Sequence, residues 1–296
     1  MSTHLTLSQV SKHYPAHIAV DKVDLSLNAG ECVGLAGHNG AGKSTIIKLI
    51  LGLITPTSGT VTLLGEDVSG RRAADVRSQI GYLPETVALH PSLTGRETLD
   101  FYAKLKKQPL GKNPELLARV GIAQAANRRV GTYSKGMRQR LALAQALLGD
   151  PKVLLFDEPT TGLDPESRQM FYKITRELKE QGATVLLCTH ALSELRDYAD
   201  RVVVMKNGQK LADGTLDELQ TQSGLPAKIT VRLHNEADLP EPWQRQSERL
   251  YTAECPPEQK VALIRGLGNL DNVAQIDMLT PTLDDMYARF LKREDV

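Results

Sequence analysis

The sequence predicts an α/β protein whose central sheet is covered by helices on both faces, followed by a small α+β appendage. Three observations carry this reading. Val153-Leu154-Leu155-Phe156 and Thr184-Val185-Leu186-Leu187-Cys188 are short apolar runs, the pattern of strands buried on both sides. Glu31 to Ala36 reads as another buried strand, and it leads through a glycine-rich turn into an amphipathic helix. A composition break at Thr221-Gln222-Ser223-Gly224-Leu225-Pro226 precedes a tail in which strand and helix patterns alternate.

In chain order, Leu5-Thr6-Leu7 and Val23-Asp24-Leu25-Ser26-Leu27 alternate apolar and polar residues and predict half-exposed strands. After Lys43, residues Ile46, Ile47, Leu49, Ile50 and Leu53 recur at helical spacing until Thr55-Pro56-Thr57-Ser58-Gly59 stops the helix. Residues 88–133 are predicted to be mostly helical. Within them Thr94 and Glu97 form a capping box for a helix through Lys107, since each side chain satisfies the other's free amide. Gly136 to Leu148 is a further helical pattern, and Asn207-Gly208 between two apolar runs predicts a hairpin. In the tail, residues 228–233, 250–253 and 273–278 read as strands, and 258–267 and 283–292 as helices. The expected organisation is therefore a first domain over 1–220 with a helical insertion at 86–133, a linker at 221–227, and an accessory domain over 228–296.

Composition narrows the function classes. With 41% hydrophobic and 24% charged residues, the 296-residue chain can bury a core. Its net charge of +1 lacks the basic excess of a dedicated nucleic-acid binder, so no nucleic-acid partner is expected. No apolar run reaches membrane-spanning length; Ile46 to Ile54 is interrupted by Lys48 and Gly52. The opening Met1-Ser2-Thr3-His4 has no secretory pattern, and three distant cysteines (Cys32, Cys188 and Cys255) suit reduced thiols, so a cytoplasmic protein is expected.

The first chemical motif is Gly37-His38-Asn39-Gly40-Ala41-Gly42-Lys43-Ser44, followed by Thr45. Small residues let backbone amides approach phosphate oxygens, and the following helix adds its positive end. Lys43 is placed to reach β- and γ-phosphates and Ser44 to ligate Mg²⁺. The second motif is Asp157-Glu158 at the end of an apolar strand. Beside a phosphate loop, Asp157 is the candidate for Mg²⁺, and Glu158 for orienting or deprotonating an attacking water. The third is Ser134-Lys135-Gly136-Met137 at a helix start, where a hydroxyl and free amides suit another phosphate. Because the chain already has a phosphate loop, this helix start is read as serving a nucleotide held by another subunit.

With these residues in order, the chain resembles the ATP-binding cassette (ABC) ATPases over about residues 3–220. Ser134 to Met137 resembles their signature, Gly162-Leu163-Asp164 their D-loop, His190 their switch histidine, and Tyr14 the aromatic that stacks on adenine. The resemblance implies a P-loop NTPase cassette: a RecA-like core with antiparallel β and helical subdomains. It implies ATP and Mg²⁺ as ligands, nucleotide contacts from Tyr14 and residues 37–45, and catalytic roles for Glu158 and His190. It also implies a homodimer enclosing two ATPs, with Asp164 linking the sites, and a separate membrane permease. The remaining histidines His4, His13, His17, His90 and His234 are expected to be packing or surface residues.

Two positions depart from the family pattern. Glu85 follows Ile80-Gly81-Tyr82-Leu83-Pro84 where glutamine is usual, and can still contact Mg²⁺ or the attacking water at the cost of added negative charge. Lys135-Gly136-Met137 replaces Gly-Gly-Gln but keeps Ser134 and Gly136. Both variants resemble cassettes that serve ABC-2-type permeases. Tyr82 to Glu85, Cys255-Pro256-Pro257-Glu258 and Thr280-Pro281-Thr282-Leu283-Asp284-Asp285-Met286-Tyr287 are most similar to ATPase subunits that serve copper-centre maturation of nitrous oxide reductase. That resemblance implies a place on the cytoplasmic face of the inner membrane, with a periplasmic accessory subunit among the partners. A drug or lipid exporter is the alternative. A DNA-repair cassette would need a coiled-coil insertion longer than the 48 residues at 86–133, and a translation factor would carry two cassettes.

Overall fold

Two long strands open the chain, β1 (Thr3–Tyr14) and β2 (His17–Asn28), paired antiparallel from Thr3↔Asn28 to Tyr14↔His17. They are followed by β3 (Cys32–Ala36), α1 (Lys43–Ile50), β4 (Ser58–Leu63), β5 (Glu66–Asp67), α2 (Ala73–Ser78) and β6 (Ile80–Leu83). Next come α3 (Gly95–Leu105), α4 (Asn113–Arg119), α5 (Lys135–Ala146), β7 (Val153–Asp157), α6 (Pro165–Glu180), β8 (Thr184–Thr189), α7 (Leu192–Tyr198), β9 (Arg201–Lys206) and β10 (Gln209–Gly214). The tail holds α8 (Leu216–Ser223), β11 (Ala227–Leu233), β12 (Gln244–Ser247), β13 (Leu250–Cys255), α9 (Lys260–Leu267), β14 (Val273–Leu279) and α10 (Leu283–Lys292). This computed structural model describes residues 2–236, 238–267 and 272–292.

The first unit spans residues 1–211. Its antiparallel sheet runs β2-β1-β4-β5, and alternation along the strands turns Leu5, Leu7, Leu25, Leu27, Val61 and Leu63 inward, all buried. The second sheet runs β10-β9-β3-β8-β7-β6, with β9, β3, β8, β7 and β6 parallel. Every residue of β3, β7 and β8 is buried, as the apolar runs predict for strands covered on both faces. Cys32 and Cys188 are part of that core, and burial pushes both thiols up. The parallel arrangement puts the segments after β3, β6, β7 and β8 at one carboxyl-end edge, where ligands bind in open α/β sheets.

The region 88–133 is less helical than its composition predicts. It holds α3 and α4, with a 3-10 turn at Leu110–Lys112 between them and two more, Ala123–Ala125 and Val130–Thr132, after α4. The capping box does form: Thr94 N donates to Glu97 Oε2 at 2.8 Å and Glu97 N to Thr94 Oγ1 at 3.2 Å. The predicted stop at 55–59 runs directly into β4.

The second compact unit begins at Ala212, ahead of the stretch expected as a linker. Helix α8 occupies the first half of that stretch. Thr215 and Glu218 cap it reciprocally, and left-handed Gly224 closes it at φ 65°. A four-stranded antiparallel sheet, β12-β13-β11-β14, follows. One cluster of Val231, Leu233, Tyr251 and Leu267 forms its core beside Trp243, and a second gathers Ala227, Ile229 and Cys255 against Leu263 and Ile264. Among the described residues of the whole chain, no helix is long and apolar enough to cross a membrane.

Candidate nucleotide-binding and hydrolytic site

The loop between β3 and α1 is shaped by glycine. Gly40 and Gly42 adopt φ 88° and 105°, and a side chain on Gly42 would meet the Ala19 carbonyl at 2.7 Å. Only glycine meets both demands. Lys43 is buried, and its Nζ donates to the Gly37 carbonyl and to the His38 carbonyl at 3.2 Å, so the ammonium lies folded over the loop. A cleft is lined by His38, Asn39, Gly40, Gly42, Lys43, Ser44 and Thr45 together with His17 and Ala19 of β2.

Strand β7 delivers the acidic pair beside this loop. Ser44 Oγ lies 3.5 Å from Asp157 Oδ2. Burial first, and then the charges of Glu158 and Glu85, push the Asp157 carboxyl above its ordinary range; Lys43 and the Ser44 hydroxyl oppose this. A buried carboxylate with excess negative charge around it, beside the Ser44 hydroxyl, suits a cation such as Mg²⁺. Among the described residues no group of three or more His, Cys, Asp or Glu converges on a metal position. An ion here would draw one hydroxyl and one carboxylate from the chain, with phosphate and water oxygens completing its shell.

Glu158 sits in left-handed backbone, φ 49°, rare for a residue with a side chain. Its amide donates to the Cys188 carbonyl at 2.9 Å, which ties the turn after β7 to β8. Its Oε2 lies 2.8 Å from His190 Nδ1, with the Glu158 side chain 9% exposed and that of His190 63%. The two residues therefore join a buried acid to a solvent-facing imidazole at the sheet edge. Glu85, by contrast, is exposed in the bend after β6 and reaches Asp157 only through its charge. Nearby, burial and the Asp157 charge raise the Tyr82 phenol to about 12.

The Ser134 motif lies elsewhere. Ser134 is exposed and caps α5, its Oγ accepting from Met137 N at 3.2 Å. Lys135 lies over Gly162, which turns at φ 75°, and a side chain on Gly136 would stand 3.8 Å from Asp164 Oδ2. Asp164 caps α6 through Ser167 N at 2.9 Å and Ser167 Oγ at 2.7 Å, bonds that hold its carboxyl below the usual range. The two motifs thus form one patch, and none of residues 134–137 is among the described residues lining the Lys43 cleft. Tyr14, at the end of β1, stacks on His17 with ring centroids 5.2 Å apart and planes at 21°. His17 is exposed, as expected of a surface residue, and it also lines the cleft. The two-residue turn pairing Tyr14 with His17 was the available signal.

Residues 20–161 match the ABC transporter family. An uncharacterised ABC transporter ATP-binding protein of Bacillus subtilis is 44% identical, over 74% of this chain and 73% of its own length. Nod factor export ATP-binding protein I of Sinorhizobium fredii is 36% identical, over 98% of this chain and 86% of its own. Among solved structures, an ATP-binding subunit of an ABC transporter is 34% identical with a TM-score of 0.70, covering 75% of this chain and 93% of that one. A dimeric bacterial ABC transporter cassette is 26% identical with a TM-score of 0.66, covering 72% and 98%. The chain belongs to the ABC transporter ATP-binding family and is its ATP-hydrolysing subunit type, a P-loop cassette that works with membrane permease subunits.

Proposed function

We propose that this ATPase holds two ATPs in a head-to-tail homodimer and drives a separate ABC-2-type permease from the cytoplasmic face of the inner membrane. The observation that carries the proposal is the 2.8 Å contact between Glu158 and His190 at the same sheet edge as Lys43, Ser44 and Asp157. Residues 37–45 would wrap the phosphates, with Lys43 moving from its loop carbonyls to the β- and γ-oxygens. Tyr14 would stack on adenine and His17 would line the same cleft. Ser44 and Asp157 would hold Mg²⁺, with Glu85 acting at longer range; bound there, the ion neutralises phosphate charge. Glu158 would orient or deprotonate the attacking water. His190, whose Nδ1 contacts Glu158, would reach the γ-phosphate with its other ring nitrogen. Ser134 to Met137 would cover the other chain's ATP, with Asp164 beside them linking the two sites. Replacing Glu158 by glutamine tests the assignment: ATP binding should persist while turnover is lost.

For the transporter's task we propose copper-centre maturation of nitrous oxide reductase, with a periplasmic accessory subunit in the complex. The support is the Tyr82–Glu85, Cys255–Glu258 and Thr280–Tyr287 sequences. Replacing the wild-type gene by one encoding Glu158→Gln should leave the reductase without its copper centres in the native host, and normal centres would overturn this assignment. Export of a drug or lipid is the second reading, and the match to Nod factor export ATP-binding protein I over 98% of the chain favours an export task. Co-purified permease and cargo distinguish the two.

A further inference from the structure

A side chain outside the motifs gathers the elements on which they stand. Glu194, in α7 four residues past His190, has a side chain only 14% exposed. Its Oε2 accepts from Thr160 Oγ1 at 2.8 Å and from the Tyr172 hydroxyl, and its Oε1 pairs with Arg168 Nη1 at 3.2 Å. Thr160 lies two residues beyond Glu158. Arg168 and Tyr172 lie on α6, the helix that Asp164 caps. One turn further along α7, Tyr198 stacks on Tyr172 at 3.7 Å between centroids and 3° between planes. Positions 194 and 198 share one face of α7, so that face is fixed to α6 by a polar contact and an aromatic one. The neighbouring hydrogen bond from Gln139 Nε2 to the Pro159 carbonyl, 3.1 Å, attaches α5 to the same loop.

We infer that Glu194 is a positioning residue for hydrolysis: its carboxylate locks the helix after His190 to the loop after Glu158 and to the helix of Asp164. The inference rests on the reading of Glu158 and His190 as the hydrolytic pair. Three donors converge on this carboxylate, and α7 is short, with Ala191 providing no side-chain cap. Without Glu194 the helix keeps its apolar anchors, Leu192 and Leu195, and the Tyr198 stack, but loses its polar link to α6 and to the loop after Glu158. His190 would then drift relative to Glu158. A misplacement of that kind reduces the rate without reducing ground-state binding.

The test uses the full-length chain. Glu194→Ala should lower kcat for ATP at least tenfold and leave KM within twofold. Combined with His190→Ala, it should reduce kcat no further than His190→Ala alone, because both act through one contact. Glu194→Gln keeps an acceptor for Thr160 and Tyr172 and should recover most of the activity. Tyr198→Leu loosens the same pair of helices without touching the carboxylate; it should lower the melting temperature and leave kcat within twofold. Should Glu194→Ala fold poorly, Thr160→Val, which removes the donor to Glu194, should lower kcat several-fold, whereas Thr160→Ser, which keeps the hydroxyl, should stay near wild type. An unchanged kcat, a loss that multiplies with that of His190→Ala, or an equal kcat loss in Tyr198→Leu overturns the inference. The underlying reading is judged separately: if Glu158→Gln hydrolyses ATP normally the pair itself is misassigned, whereas a dead Glu158→Gln beside a normal Glu194→Ala refutes the role of Glu194 alone.

Discussion

His190 Nδ1 meets Glu158 Oε2 at 2.8 Å although the two residues follow different strands, β7 and β8. Parallel pairing of Asp157 with Cys188 aligns the ends of those strands, and the Glu158 amide is bound to the Cys188 carbonyl. Sheet register thus sets the acid against the imidazole. Glu158→Gln keeps the shape of this contact and removes the carboxylate proposed as the base. Turnover should fall about 10²- to 10⁴-fold, the usual contribution of a positioned general base. ATP-loaded dimers should then accumulate, visible by light scattering on a sizing column with ATP; a chain that stays monomeric there would count against the sandwich.

Lys43 is held by the Gly37 and His38 carbonyls, which it would exchange for phosphate oxygens in the proposed ATP-bound state. Lys43→Ala should weaken ATP binding by about 1.5–3 kcal/mol, the scale of a hydrogen bond to a charged group, or roughly ten- to a hundredfold in Kd. Titration with a fluorescent ATP analogue checks this. Near-wild-type affinity would show that the loop holds nucleotide without its cation.

Asp157 gives a pH signature. Its folded pKa lies above the ordinary 3.8, so between those two values the folded chain binds more protons than the unfolded one. Stability therefore falls as pH rises through this window, and the cost of the ionised group is fully present at neutral pH. Asp157→Asn should melt higher than the wild type without nucleotide at neutral pH, and the gap should close as pH falls toward 3.8. It should also lose Mg²⁺-dependent turnover. A wild type that melts higher at neutral pH would contradict the assigned sign.

Glu85 acts on Asp157 by charge alone, from an exposed position where solvent screens it. Glu85→Gln should tighten ATP binding by under ~1 kcal/mol, about two- to fivefold, at low salt, with the gain fading at high salt. A salt-independent change would mean that the carboxylate makes a direct contact.

The central sheet was legible because β3, β7 and β8 are buried on both faces, which leaves almost no choice of residue. The Lys43 loop was legible for a related reason: its positive-φ glycines admit nothing else. Other elements left no such mark. Strand β12 is four exposed polar residues, Gln244 to Ser247, formed by pairing with β13 and not by its own pattern. Helix α8 falls where composition suggested a linker, and only its Thr215–Glu218 box signals it. His17 is one of several histidines in the sequence, and only the turn that folds it beneath Tyr14 brings it to the cleft. Glu194 draws its meaning from Thr160, Arg168 and Tyr172, partners that no local pattern connects to it.

In the proposed homodimer each hydrolytic site takes its phosphate loop from one chain and its Ser134 helix from the other. Ser134→Arg should leave nucleotide binding by the single chain intact, at the cost of an N-cap worth about 1 kcal/mol, and Lys43→Ala should leave its Ser134 helix intact. Each variant alone should be inactive. Mixed in equal amounts, half of the dimers would pair the two variants and hold one complete site. ATPase activity should then rise toward roughly a quarter of the wild-type value. Activity that stays at the sum of the separate variants would contradict a site shared between chains.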